Sequence, residues 1–211
     1  MGHMTAATTQ RTRMPPEQRR ELLLEHGVRL LATRSLEELS TELMAEQAGI
    51  SRGLLYHYFA NLQDFHRAVV RKAVEDLVAI TAPDDGEDLL GVLERSLAAY
   101  VDYVVANRAG YLSLVRAANG GDEELRVVYE QARDALTGRM FERAAGEQRI
   151  DGLTALGHAD TPATRLMVRG WASLAEELVL AWAEDPSSMT REQLIAALAG
   201  SLVGALNAVS G

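Results

Sequence analysis

The chain has no cysteine and few aromatic residues: Phe, Trp and Tyr make up 5% of 211 residues. Without Cys, disulfides, thiol nucleophiles and Cys-ligated zinc are excluded together, and nothing calls for an oxidising compartment, so a cytoplasmic location is expected. Proline is scarce too, at 5 residues, which together with the low aromatic content disfavours a strand-rich fold. The 47% apolar and 24% charged residues disfavour disorder, so an all-α globular protein is expected. The opening MGHM reads as a cloning remnant, and no signal peptide with a basic start and apolar middle follows it.

Catalytic signatures are equally sparse. There is no HExxH, phosphate loop, dinucleotide glycine pattern or nucleophile elbow; GSLVG at 200–204 has its Ser one place too early and sits in a helical pattern. His26, His57, His66 and His158 lack ligand-like spacing, so neither a metal nor a cofactor is expected. His26 is read as packing on a helix and His66 as surface. The pairs Asp84-Asp85 and Glu176-Glu177 read as a linker and a solvated helix edge rather than as an acid/base pair, and no residue is assigned a catalytic role.

Positive charge is unevenly spread. Residues 1–72 hold 10 Lys/Arg against 8 Asp/Glu, whereas residues 73–211 hold 11 against 22, so a mildly basic front third precedes a strongly acidic remainder. Three segments follow: 1–15 as cloning remnant and flexible arm, 16–80 as four helices, and 81–211 as a larger helical domain. Pro15-Pro16 opens the first helix, with Leu22, Leu23, His26, Leu30 and Leu31 as its apolar stripe, to about Thr33. Short helices follow Ser40 and Ser51, and Asn61 caps a helix running to about Ile80. TAPDDGED at 81–88 marks the boundary. Further helices are expected at roughly 87–107, 109–118, 122–145, 162–184 and 190–209, with 145–162 as the longest loop.

LIAALAGSLVGALNAVSG, residues 194–211, is uncharged and long enough to raise a membrane span, but its Ala/Gly content and lack of interfacial Trp, Tyr or Lys favour a buried helix. Ala196, Gly200, Gly204 and Ala208 step by four, a stripe of small residues that lets another helix approach closely.

ELMAEQAGISRGLLYHYF at 42–59 carries the functional signal. Ala45 stands where two helices would cross, Gly49 at a turn that needs positive φ, and Met44, Ala48, Ile50 and Leu55 fill a small shared core. Ser51 caps the second helix, which then presents Arg52, Gly53, Leu54, Tyr56, His57 and Tyr58. Such a pinned helix fits a major groove: Arg52 for guanine or phosphate, Leu54 for a thymine methyl, Tyr56 and Tyr58 for phosphates. The alternative is a helical hairpin serving as a dimeric protein-interaction module without specific DNA readout.

LSTELMAEQAGISRGLLYHYFANLQDF resembles the DNA-binding domain of the TetR family of transcriptional regulators. The resemblance implies a three-helix helix-turn-helix domain and a larger ligand-binding and dimerisation domain. It also implies a homodimer on a palindromic double-stranded operator, usually repressing, released by a small-molecule effector. The DNA contacts it implies are Ser40, Thr41, Ser51, Arg52, Gly53, Leu54, Tyr56, His57, Tyr58 and Asn61, and Ala196, Gly200, Gly204 and Ala208 fall in the implied dimer interface. Three positions depart from the family pattern: Ser35 replaces the glycine that ends helix one, Leu62 replaces a lysine near DNA, and Leu54 replaces a small polar residue inside the recognition helix. Arg11 and Arg13 on the arm either compensate in the minor groove or belong to a disordered tail. Tyr100, Tyr103, Tyr111, Arg116, Asn119, Trp171 and Trp182 are the candidate pocket residues for an apolar or aromatic effector. No membrane partner is implied.

Overall fold

The computed structural model describes residues 15–83, 89–141, 153 and 157–209. Among them are nine α-helices and no strand. They are α1 (Pro16–Leu31), α2 (Thr41–Ala48), α3 (Arg52–Tyr58), α4 (Leu62–Ile80), α5 (Leu89–Ala106), α6 (Arg108–Asn119), α7 (Glu123–Gly138), α8 (Pro162–Glu184) and α9 (Arg191–Asn207), with a 3₁₀ turn at Leu36–Glu38 after α1. The arm with Arg11 and Arg13 and the linker Asp84–Asp85 lie outside the described residues, as does most of 145–162.

Side-chain caps set most helix starts. Ser40, Ser51, Asn61, Asp122, Thr161 and Thr190 each accept from a backbone N–H of the first turn. Ser35 begins the 3₁₀ turn, where its N–H donates to Glu38 Oε2 at 2.7 Å in a capping box, so a serine can stand at this joint without a left-handed residue.

The apolar stripe of α1 differs by one step from the expected one. Leu23, Leu24, Gly27 and Leu31 are buried, while Leu22 is 40% exposed and His26 half-buried. The reason is the α4 crossing: a Cβ on Gly27 would stand 2.4 Å from Val69 Cγ2, so the glycine defines the face where the helices touch. His66 is likewise not a surface residue. Its Nε2 lies 2.7 Å from Leu39 O, tying α4 to the joint before α2. Helix α7 ends at Gly138, short of the expected 145.

The buried residues form two clusters. One joins α1–α4 with Leu114 of α6 and with Leu125 and Val128 of α7. The other joins α5, α8 and α9 around Val101, Val104, Trp171, Val179, Leu198 and Leu202. The front helices therefore share their core with α6 and α7, so a shift of α6 or α7 is felt in the first cluster directly.

Candidate nucleic-acid interface and interior cavity

Gly49 has φ 63° and ψ 35°, closing α2 in a left-handed cap that turns the chain sharply into α3. A Cβ there would meet nothing within 4 Å, so the constraint is backbone conformation rather than space. Met44, Ala45 and Leu55 are buried beneath the turn, with Ala48 and Ile50 half-buried beside them.

The outward side of α3 carries Arg52, Gly53, Tyr56 and His57, all exposed, and Tyr56 remains 50% accessible. Arg52 Nη1 forms an ion pair with Glu42 Oε1 across the turn at 2.8 Å. Leu54 is half-buried, and Tyr58 packs partly on the first cluster with its ring edge-on to His57. Ser40, Ser51 and Asn61 spend their side-chain oxygens on helix caps, leaving Ser40 half-buried and the other two exposed. Thr41 is buried, and its hydroxyl donates to Glu42 Oε2. Leu62 packs against the first cluster, so the residue at the missing lysine's place contributes to the core.

Between α1 and α4 on one side and α5–α7 on the other lies a cavity of about 50 Å³. It is walled by Val28 and Leu31 of α1; Val70, Ala73, Val74 and Leu77 of α4; Tyr103 of α5; Asn107; Gly110, Tyr111 and Leu114 of α6; and Tyr129, Ala132, Arg133 and Leu136 of α7. Tyr103 and Tyr111 are thus the two expected pocket residues that line it. Tyr100 stands behind Tyr111, hydroxyl to hydroxyl at 2.9 Å. Arg116 and Asn119 are exposed near the end of α6, and Asn119 bonds back to Val115 O. Trp171 belongs to the second cluster, its Nε1 donating to Leu198 O and Ser201 Oγ. Trp182 Nε1 donates to Met189 O, bracing the loop between α8 and α9.

Three polar residues in or beside the cavity wall, Tyr129, Arg133 and Glu176, were not among the expected ones. Glu176 is no solvated edge: its two carboxylate oxygens accept from Tyr111 at 2.9 Å and Tyr129 at 2.7 Å. Arg133 Nη1 donates to the Tyr129 hydroxyl, and its Nη2 to Ser173 Oγ and Arg169 O. Tyr103 donates to Ala73 O at 2.7 Å. Burial pushes the Tyr103 hydroxyl up to about 12, and burial likewise raises Tyr100, Tyr111 and Tyr129 above the ordinary phenol value. These phenols stay neutral across physiological pH and remain hydrogen-bond donors. Their protons are committed to protein acceptors, which leaves a mostly apolar wall.

Helix α6 links this cavity to the head. Ser113 Oγ accepts from Leu36 N at 3.0 Å in the joint between α1 and α2, and a Cβ on Gly110 would lie 2.5 Å from Leu31 Cβ.

Two family models match. Residues 23–69 match the tetR family of bacterial regulatory proteins, and residues 89–204 match the tetracyclin repressor-like C-terminal domain. The chain belongs to the TetR family. Its members are DNA-binding transcription regulators, not enzymes. A TetR-family transcriptional regulator from Streptomyces coelicolor superposes with a TM-score of 0.77 at 30% identity, over 93% of this chain and 83% of that one. GusR from Salmonella enterica superposes at 0.66 and 18% identity, over 92% and 98% of the two chains, a likeness of fold. The HTH-type transcriptional activator FasR of Mycolicibacterium smegmatis is 23% identical over 136 residues. That stretch is 62% of this chain, and the chain spans only 60% of that relative's length. Among the described residues no helix is long and apolar enough to cross a membrane, and no group of three or more His, Cys, Asp or Glu is placed to hold a metal ion.

Proposed function

We propose that the protein is a homodimeric transcriptional regulator that binds a palindromic operator through α3 and, acting as a repressor, lets go when a small apolar or aromatic molecule occupies the interior cavity. It acts where the chromosome is, in the cytoplasm. The observation that carries the DNA reading is the exposed edge of α3, with Arg52, Tyr56 and His57 presented on a helix pinned by the Gly49 turn. Arg52 reads a base edge, and the tyrosine and histidine fix register on phosphates.

Dimerisation is supported by what α8 and α9 leave uncovered. Ala196, Gly200, Gly204 and Ala208 are exposed, and a Cβ on Gly200 or Gly204 would meet nothing within 4 Å. On α8, Leu166 at 68% and Leu174 at 45% exposure are likewise left uncovered. An apolar helix face without a partner in its own chain favours a second copy. Two-fold pairing there would set the α3 helices about 34–36 Å apart, one turn of duplex.

The effector reading rests on the cavity's walls. α1 and α4 supply one side and α5–α7 the other, so an occupant acts on the head and the acidic part at once. At about 50 Å³ it is a third of the roughly 150 Å³ cavity that admits benzene in an engineered protein. A ligand of that size must therefore expand the cavity, moving α6 against Leu31 and the Leu36 joint. A state in which α4 and α6 have moved binds effector better and operator worse, as reciprocal coupling requires.

Selection of duplexes from a random pool at near-physiological salt tests the DNA reading, and enrichment of a two-fold symmetric site is expected. An intact dimer that enriches nothing would move the protein to the interaction-module reading. With the operator known, a compound that binds tightly while operator affinity stays constant is not the effector.

A further inference from the structure

Arg52 does not stand alone on the reading head. It is paired with a carboxylate, and that carboxylate is held from a second side. Glu42 Oε1 takes Arg52 Nη1 at 2.8 Å, while Glu42 Oε2 accepts from the Thr41 hydroxyl at 3.1 Å. Thr41 is buried at the start of α2, just after the Ser40 cap, so the relay is anchored in the rigid part of the head.

We propose that Glu42 is a specificity-determining positioning residue, which holds the Arg52 guanidinium in the orientation that meets a base edge. This rests on the operator reading above. An unattached arginine samples many rotamers, whereas a fork that must meet two acceptors at once gains from being held in plane. The ion pair engages Nη1, so Nη2 and Nε can meet the O6 and N7 acceptors of a guanine.

Charge makes the assignment distinctive. A carboxylate facing duplex DNA repels phosphate and lowers affinity for every sequence alike. Its own backbone N–H, then the Thr41 hydroxyl, hold the Glu42 carboxyl below the usual carboxylate range, so it is anionic at neutral pH. Glu42 therefore costs general affinity, and orienting Arg52 returns that cost as discrimination. The pair is open to solvent, with 63% and 54% of the two side chains accessible, and exposed pairs contribute little to fold stability. The consequence falls on recognition rather than on folding.

The test is duplex selection, followed by titration of single-base operator variants, with wild type, Glu42→Gln, Thr41→Val, Arg52→Ala and the Glu42→Gln/Arg52→Ala pair. Wild type should show one strongly preferred base per half-site that Arg52→Ala erases. Glu42→Gln should cut that preference by about tenfold, within the range of a bidentate base contact, while affinity for unrelated duplex rises. Thr41→Val, which changes no charge, should weaken the same preference and no other. In the Arg52→Ala background Glu42→Gln should change the preference no further. If Glu42→Gln shifts affinity equally for all sequences, or acts equally with and without Arg52, Glu42 is only a surface charge and the proposal fails. A wild-type dimer that enriches no site overturns the operator reading and this proposal together, which separates that failure from one confined to the variants.

Discussion

Helices α3 and α9 both leave a face unused by their own chain, and the two faces could hardly differ more. α3 shows Arg52, Tyr56 and His57, whereas α9 with its C-cap shows Ala196, Gly200, Gly204 and Ala208. The first surface suits a partner that is charged and wet, because cation and hydroxyl donors displace counterions and water from phosphate. The second suits a partner that comes close enough for backbones to pack, because nothing projects from it. What an unpaired face displays, not how much of it there is, separates a reading surface from an assembly surface.

That contrast breaks most visibly on α9. Gly200→Glu places like charges on the proposed two-fold contact, and open space around Gly200 leaves the protomer's fold intact. Operator affinity should fall by about 10²–10⁴-fold as the second reading head is lost, with sedimentation showing monomers. Retained dimers would move the interface elsewhere. Gly110→Ala tests the opposite kind of glycine, one where an added Cβ would stand 2.5 Å from Leu31 Cβ and 2.9 Å from Leu31 O. It should cost about 1–3 kcal/mol in urea unfolding, the usual penalty of overpacking.

The tyrosines of the cavity predict an alkaline limit. Tyr103 titrates near 12 in the folded protein against about 10 when unfolded, so the folded state holds its proton more tightly. Stability from this group is full below pH about 10 and declines as pH rises through about 12. Tyr103→Phe should flatten that part of a stability-versus-pH curve; an unchanged curve would place the effect on other phenols.

The head was legible in sequence because its constraints are local: Gly49 must take positive φ, Ser51 must cap, and both act within four residues of what they control. The phase of α1 was not, since Leu22, Leu23 and Leu24 are chemically identical and only the Gly27–Val69 approach selects among them. Tyr129 was within reach, as it follows Leu125 by four on the inward stripe that continues through Ala132 to the half-buried Leu136. Glu176 was not: its partners Tyr111 and Tyr129 lie 65 and 47 residues away, and a carboxylate at such a distance looks solvated until the helices are packed.

The smallest effect should come from Leu62→Lys, which returns a cation to the start of α4 and sharpens the reading face at the expense of the core. Each phosphate contact contributes about 0.9 to the slope of log affinity against log salt, so the slope should steepen by that amount per subunit. Affinity should rise a few-fold at low salt and converge with wild type as salt increases. Leu62 is half-buried against the first cluster, so a slightly lower urea midpoint should accompany the gain. An unchanged slope would mean that the start of α4 does not approach the backbone, and the head would then dock on α2 and α3 alone.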